Sequence, residues 1–163
     1  MVVRFELIED LCSEKVDIYT VRIDDKSLFE YEEFYNKSFP NHEEEIHFID
    51  NALEEIKKRG ALGYYFRHEG PADALPQNVP NWIVELNPDD LGIRLYCIRL
   101  ADNVLILLNG DIKTCQNPKE CPHVRTHFLF ANKLATCLTT YILENRINLI
   151  EDRNCFHTIE IEL

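Results

Sequence analysis

The chain has 163 residues, 45% of them hydrophobic, and a formal net charge of −12 at pH 7. This length and composition predict a single globular domain, residues 1–163, whose apolar core is large enough to fold without disulfide bonds or a bound metal. The net negative charge excludes the class of proteins that bind nucleic acid over their whole surface, because such binding needs a positively charged surface. No apolar run reaches the roughly 18 residues of a transmembrane helix, and no export signal is visible. We therefore expect a cytoplasmic protein with a mature N-terminus and no membrane partner.

The charge is distributed unevenly along the chain. The first 60 residues carry 8 basic and 16 acidic side chains, whereas residues 91–140 carry 6 basic and 3 acidic ones. The sequence therefore allows a locally basic surface on an acidic body.

Six cysteines are present, a number that can form disulfides in a small secreted protein. Two of them, Cys97 and Cys137, fall on apolar faces of predicted elements, where a thiol behaves as a small hydrophobe. Because the chain is long enough to fold without bridges and shows no export signal, we expect reduced thiols.

The first half of the chain predicts a hairpin and two helices. Apolar and polar residues alternate in two segments before residue 24, which is typical of a β-hairpin. Helical spacing then predicts one helix that ends before Pro40 and a second that runs from a cap at Asn41 to Gly60. Residues 61–80 are predicted to be irregular.

The second half predicts strands around one long helix. Strands are expected at residues 82–86, 93–100 and 103–109, and the apolar run 104–108 predicts a central strand covered on both faces. A tight turn at 101–103, a helix from Pro122 to about Asn145 and an edge strand at 159–163 complete the pattern. The order ββ-αα-βββ-α-β predicts an α+β fold, an antiparallel sheet packed by helices on one face.

The strand pair at 93–109 carries the residues best suited to chemistry. Residues two apart in a strand share a face, so Arg94 and Tyr96 are expected together at the sheet surface, with Lys113 after the next strand. Arg binds phosphate through a planar fork, Tyr donates a proton or stacks on a base, and Lys supplies a point charge. Together they can hold a phosphodiester and stabilise its transition state. The alternative is that all three are ordinary strand and surface residues.

This part of the chain resembles the RelE/ParE superfamily of bacterial toxins. The resemblance rests on two helices, then a WIVEL strand, a strand with Arg and Tyr, and an apolar strand ending in NGDIKT. Arg94 matches the Arg of the family's first strand motif. Asn109, Gly110, Lys113 and Thr114 match a second motif of the form His-Gly-x-x-Lys-Lys-Thr. The similarity covers about residues 27–140, so the N-terminal hairpin and the C-terminal strand are additions to the RelE-like core.

The resemblance implies a compact toxin-like fold, an antitoxin as partner and, in many members, metal-independent cleavage of mRNA on the ribosome. In that reaction the RNA 2′-hydroxyl attacks the adjacent phosphate, whereas the ParE branch inhibits gyrase without cleavage. It assigns phosphate binding to Arg94, charge stabilisation or proton transfer to Lys113, and proton transfer or stacking to Tyr96. The predicted binding residues are Arg99, Asn109, Thr114 and Arg125.

The chain departs from the family at the histidine, which is Asn109 here and cannot act as a general acid or base. The second lysine of the motif is missing, and the net charge is acidic. These departures support an alternative, a non-catalytic relative that acts as a protein-interaction module with an antitoxin-like partner.

A third alternative is a zinc-stabilised binding domain. The segment Cys115-x5-Cys121-x-His123-x3-His127 has residue types that bind zinc, although its spacing is not that of a familiar finger. These four residues are weak metal candidates, and the main prediction is that no metal is bound. No fingerprint of a phosphate loop, a dinucleotide site or a serine nucleophile is present, so no cofactor is expected.

Overall fold

The computed structural model describes residues 1–77 and 91–163. The elements in chain order are β1 (Val2–Leu7), β2 (Asp17–Ile23), α1 (Glu30–Asn36), α2 (Glu43–Arg59), β3 (Arg67–Glu69), β4 (Ala72–Leu75), β5 (Ile93–Ala101), β6 (Val104–Ile112), α3 (Arg125–Glu144) and β7 (Glu160–Glu162). Short 3-10 turns lie at Glu9–Leu11, Gly63–Tyr65 and Cys155–Thr158.

The seven strands form one open sheet in the order β3-β4-β5-β6-β2-β1-β7. Strands β2 and β6 run parallel, and every other pair of neighbours is antiparallel. The predicted α+β class is confirmed, and the sheet, predicted to be antiparallel, is so except at the parallel pair of β2 and β6. The predicted edge strand is also found, since β7 lies at the end of the sheet with exposed Glu160 and Glu162.

The element order differs from the predicted one in the middle of the chain. Residues 61–80, predicted to be irregular, contain the hairpin of β3 and β4. Its turn is Gly70-Pro71, and Gly70 has φ of +89°, a conformation that L side chains rarely adopt. The predicted strand at 82–86 lies outside the described residues.

Helices cover both faces of the sheet, and not one face as predicted. Strand β6 is buried throughout Val104–Leu108, and its side chains alternate between two separate cores. Leu105 and Leu107 face α1 and α2, whereas Ile106 and Leu108 face α3. Because the central strands are apolar on both sides, each face has to be covered by a helix to keep water away.

The predicted helices are present with small shifts at their ends. The cap of α2 is His42 and not Asn41, which has φ of +68°. Gly60 follows the last residue of α2, and the tight turn between β5 and β6 pairs Ala101 with Val104. None of the helices in the described part of the chain is long and apolar enough to cross a lipid bilayer.

Candidate functional site

Strand β5 directs alternate side chains to opposite faces of the sheet, as predicted. Tyr96 and Ile98 belong to the core beneath α3, whereas Leu95 and Cys97 belong to the core beneath α1 and α2. Arg94 is two residues from Tyr96, and each side chain shifts the pKa of the other. The predicted neighbourhood of Arg94 and Tyr96 is therefore present on the α3 side.

Two side chains of the edge strand β3 extend into the same region. Glu69 Oε1 lies 3.5 Å from Arg94 Nε, and Arg67 is close enough to lower the pKa of Arg94. The sheet register explains this approach, because Ala74 of β4 pairs with both Arg67 and Tyr96. A methyl side chain at that position leaves space above β4 for the longer side chains of β3 and β5.

Lys113 joins this group from the end of β6. Its N–H donates to the Gly92 carbonyl at 2.9 Å, and its carbonyl accepts from the Leu91 N–H at 2.8 Å, so pairing continues past both strands. Its ammonium interacts electrostatically with Glu69 and Arg94. We refer to five side chains as the donor cluster: Arg67, Glu69, Arg94, Tyr96 and Lys113.

The donor cluster is buried, whereas the sequence predicted a position at the sheet surface. Arg94 is 4% exposed, Tyr96 0% and Lys113 8%. Arg94 Nη1 donates to the carbonyls of Leu91 and Ile93 at 2.9 and 3.0 Å. In the described part of the chain, the buried Tyr96 Oη and Arg94 Nε make no hydrogen bond, and Arg94 Nε has the Glu69 carboxylate 3.5 Å away as its ion-pair partner. Buried donors are nearly always satisfied, so the Tyr96 hydroxyl is an exception that a small hydrogen-bond acceptor would satisfy.

Burial also sets the protonation of the cluster. It raises the pKa of Tyr96 well above its usual range, and Glu69 adds to this effect, so the phenol keeps its proton. Burial lowers the pKa of Lys113; Glu69 opposes this shift and Arg94 strengthens it. At neutral pH Tyr96 is therefore a proton donor, and Lys113 releases its proton more readily than a surface lysine does.

The formal charges around the cluster nearly balance. Three cations face Glu69, and the Glu45 carboxylate of α2 acts on Arg67 and Arg94 from one side. The Cys121 thiol acts on Tyr96 and Lys113 from the other. The cluster differs from an ordinary buried ion pair mainly in its buried Tyr96 hydroxyl, which makes no hydrogen bond to the described part of the chain.

The four predicted binding residues lie outside the donor cluster, and three of them are remote from it. Arg99 faces the α1 and α2 side of the sheet and pairs with Asp102. Arg125 is exposed in the first turn of α3 and lines a separate groove. Thr114 lies at the border of the cluster, where its N–H donates to Cys121 Sγ at 3.2 Å.

Asn109 belongs to a different network. Its side-chain oxygen accepts from Lys37 Nζ at 2.9 Å, and its amide nitrogen donates to Glu33 at 3.0 Å. Lys37 Nζ also donates to the Gly110 carbonyl at 2.6 Å and lies 3.2 Å from His127 Nε2. Because an ammonium only donates, His127 Nε2 accepts and the ring proton is on Nδ1. This network joins the end of α1 to β6 and α3.

The four weak metal candidates do not converge. Cys121 Sγ lies against Thr114, His127 contacts Lys37, and His123 is exposed. Across residues 1–77 and 91–163, no three His, Cys, Asp or Glu side chains are grouped so that they could hold a metal ion.

Sequence analysis missed Arg67, Glu69 and Lys37. The sequence contains the pattern of a hairpin here, because Arg67 and Glu69 are two residues apart, the turn Gly70-Pro71 follows, and Ala72 pairs with Glu69. This pattern was not recognised, because a strand of three residues is too short to show a periodicity. Lys37 carries no local signal, since its three acceptors, Asn109, Gly110 and His127, come from distant elements.

The unpartnered hydroxyl of Tyr96 should be removable without loss of stability. Tyr96→Phe keeps the ring, whose centroid lies 6.1 Å from that of Phe128, and deletes a buried donor that has no acceptor. We expect the free energy of unfolding from urea denaturation to stay unchanged or to rise by up to about 1 kcal/mol.

Tyr19→Phe is the matched control, because Tyr19 is equally buried and its hydroxyl donates to the Arg153 carbonyl at 2.8 Å. It should lower the free energy of unfolding by about 1 kcal/mol. Equal losses in the two variants would show that Tyr96 Oη has a partner within the folded chain.

Comparison of the chain with protein-family models, with curated proteins and with solved structures finds no match in any of the three.

Proposed function

We propose that this protein is a RelE/ParE-like toxin component that binds a phosphodiester of RNA at the donor cluster and cleaves it without a metal. One observation carries the proposal. Arg94, Tyr96 and Lys113, selected from sequence as a phosphate-binding set, lie in one cluster in which the buried Tyr96 hydroxyl and Arg94 Nε make no hydrogen bond to the described part of the chain. A non-bridging phosphate oxygen is an acceptor that a guanidinium and a phenol both bind well.

The environment of each side chain favours one of its alternative roles. Tyr96 is fully buried against Phe128, so its ring is not free to stack on a base, and its protonated phenol suits proton donation. Arg94 Nε is the donor for a phosphate oxygen. The lowered pKa of Lys113 suits transfer of a proton as well as stabilisation of charge.

In the proposed reaction the 2′-oxygen attacks the adjacent phosphorus, and the bond from phosphorus to the 5′-oxygen breaks. The 2′-hydroxyl proton passes to a water molecule, the Lys113 ammonium stabilises the charge that develops on the phosphate, and Tyr96 gives its proton to the departing 5′-oxygen. The products are a 2′,3′-cyclic phosphate and a 5′-hydroxyl, and Arg94 stabilises the charge that develops on the phosphate oxygens.

Cleavage of mRNA on translating ribosomes is the test of this function. We expect the wild-type protein to release fragments with cyclic phosphate ends, and Tyr96→Phe to slow cleavage by about 100-fold while it remains folded. Tyr141→Phe, on the distal part of α3, is the control and should cleave at the wild-type rate. Intact mRNA, together with normal growth of cells that express the wild-type protein, would rule the activity out.

A second candidate function is a non-catalytic module that binds a protein partner. The burial of Arg94, Tyr96 and Lys113 favours it, because an RNA strand needs an open groove to reach its phosphate-binding residues. The acidic body of the protein also disfavours contact with RNA.

An exposed groove along α3 offers a surface for such a partner. It has a volume of about 320 Å³ and is lined by Met1, Arg125, Thr126, Leu129, Phe130, Lys133 and Leu163. Leu129 is 43% exposed and Met1 53%, and both line the same groove, so they form an apolar patch and are not isolated surface residues. The two cations beside this apolar surface suit a partner segment that combines acidic and apolar residues.

Co-expression with proteins encoded beside this one, followed by affinity purification, tests the second candidate. A partner bound at the groove should be lost in Leu129→Asp and retained in Leu143→Asp, because Leu143 is 72% exposed on the same helix but outside the groove. A protein that purifies alone as a monomer, with or without these substitutions, would count against an interaction module.

A further inference from the structure

The outer edge of the sheet at β7 is open to a further strand. Strand β7 is the last in the order of the sheet, and in the described part of the chain it pairs with β1 alone. The Leu163 N–H donates to the Met1 carbonyl at 2.8 Å. Hydrogen-bonded positions alternate along an antiparallel ladder, so Ile161 also faces β1, whereas the N–H and C=O groups of Glu160 and Glu162 point away from it. The edge therefore presents main-chain donors and acceptors to a partner.

A groove of about 310 Å³ runs beside this edge, between α3 and β7. Its apolar side chains are those of Cys137, Tyr141 and Ile161. Ile161 belongs to the core beneath α3, and the other two pack against that core. A strand added to β7 would direct every second side chain toward this groove, because alternate residues of a strand face opposite sides of the sheet. The groove favours apolar residues at those positions.

The charged residues that line the groove are all glutamates. Glu144 is the last residue of α3, and Glu160 and Glu162 are exposed on β7. Arg4 Nε lies 2.6 Å from Glu160 Oε1, so one of the three carboxylates already has a cation beside it. The net charge of −12 adds a field that attracts positively charged segments. This edge is therefore complementary in charge to a basic segment.

A second copy of the chain fits the edge poorly. An antiparallel pair of β7 strands centred on Ile161 would place Glu160 of each copy directly opposite Glu162 of the other. Like charges in that arrangement are destabilising. Two proteins with a net charge of −12 also repel each other during their approach.

We propose that the β7 edge binds an extended basic segment of a partner protein, which adds to the sheet as a further strand. Apolar side chains of this segment fill the groove beside Tyr141 and Ile161, and lysine or arginine side chains alternate with them beside Glu160 and Glu162. Main-chain hydrogen bonds provide the affinity, and the alternation of side chains selects the sequence. Binding here needs neither RNA cleavage nor the α3 groove around Leu129, since the donor cluster and the two grooves share no residue.

Fluorescence anisotropy with the full-length wild-type protein tests the edge. The probe is a short, capped, labelled peptide in which lysine alternates with valine, and we expect saturable binding. The same peptide with every backbone nitrogen methylated keeps its charge but donates no main-chain hydrogen bond, so it should bind at least about tenfold more weakly. A peptide in which glutamate replaces lysine should not bind.

Two substitutions of equal charge locate the site. Glu162→Lys should weaken binding of the lysine peptide about tenfold, because an attractive cross-strand pair becomes a repulsive one. Glu54→Lys is the control, since Glu54 is exposed on α2, on the other face of the sheet, and it should bind like the wild type. Leu129→Asp should also retain the peptide, which separates this edge from the α3 groove.

Alkylation of Cys137 gives a second measurement on the wild-type chain. Because Cys137 lines the groove, the bound lysine peptide should slow its alkylation and leave that of Cys12, on the other face of the sheet, unchanged. Equal affinity for the methylated and unmethylated peptides, which charge alone would produce, or no binding of either peptide would overturn the proposal. So would a dimer of the free protein that the peptide dissociates, since a second copy would then occupy the edge. These results do not depend on whether a variant folds.

Discussion

Gly110→Ala is expected to lower the free energy of unfolding by more than about 3 kcal/mol, or to prevent folding. Gly110 pairs with Leu95 where β6 meets β5. A Cβ at this position would lie 1.7 Å from the Arg94 carbonyl oxygen and 2.7 Å from the Arg94 carbonyl carbon. Both atoms belong to the backbone of a central strand, so they cannot move aside without breaking the pairing that positions Arg94 and Tyr96.

Gly63→Ala is the matched control for this substitution. No atom lies within 4 Å of a Cβ built at Gly63, which begins a 3-10 turn. We expect a change of less than about 0.5 kcal/mol. Urea denaturation of both variants measures the difference, and a Gly110→Ala protein as stable as Gly63→Ala would mean that β5 and β6 are not paired at this register.

His127 should make the protein sensitive to acid between about pH 6.5 and pH 4. Burial, together with Lys37 3.2 Å from Nε2, lowers the pKa of His127 to about 4, and Lys26 adds to this effect. The carboxylates Asp111 and Glu33 oppose it. The folded state therefore keeps this imidazole neutral, whereas a histidine in the unfolded chain has a pKa of about 6.5.

The sign of the effect follows from this difference. As the pH falls below about 6.5, the unfolded chain takes up a proton that the folded chain does not, so stability is lost until the pH reaches about 4. The full difference corresponds to about 3 kcal/mol, and partial exposure of the ring to solvent reduces it to about 2 kcal/mol.

His127→Gln tests this assignment, since a glutamine oxygen can still accept from Lys37 but does not titrate. The free energy of unfolding should be measured at steps from pH 7 to pH 4.5, and the variant should show a flatter profile than the wild type. Carboxyl groups contribute equally to both profiles, among them Asp17, whose pKa is raised by burial, so the difference between the two profiles is the decisive quantity. Parallel profiles would contradict the assignment.

The predicted effects of Gly110→Ala and of acid on His127 both involve the end of β6. Gly110 permits close contact between β5 and β6, and its carbonyl accepts from the Lys37 ammonium, which together with burial keeps His127 neutral. Asn109, one residue earlier, binds the same ammonium. The end of β6 therefore organises the donor cluster and also joins the helices on the two faces of the sheet.

The sequence by itself determined the elements with a strong local pattern. Alternation predicted the N-terminal hairpin and the edge strand β7, the tight turn at 101–103 and the apolar run after it predicted the paired strands β5 and β6, and helical spacing predicted α2 and α3. It also placed Arg94 and Tyr96 on one face of β5, because a strand repeats every two residues. The burial of β6 on both faces followed from its continuous apolar run.

The tertiary structure decided which side chains meet and how far they are from water. Arg67 and Glu69 join Arg94, Tyr96 and Lys113 because the register of β3, β4 and β5 aligns them above Ala72 and Ala74. Register is a property of strand pairing, and no periodicity within a single strand encodes it. The same holds for Lys37, which contacts Asn109 and His127 from a separate helix. Local pattern determines which face a residue occupies, whereas the pairing of distant segments determines its neighbours and its burial.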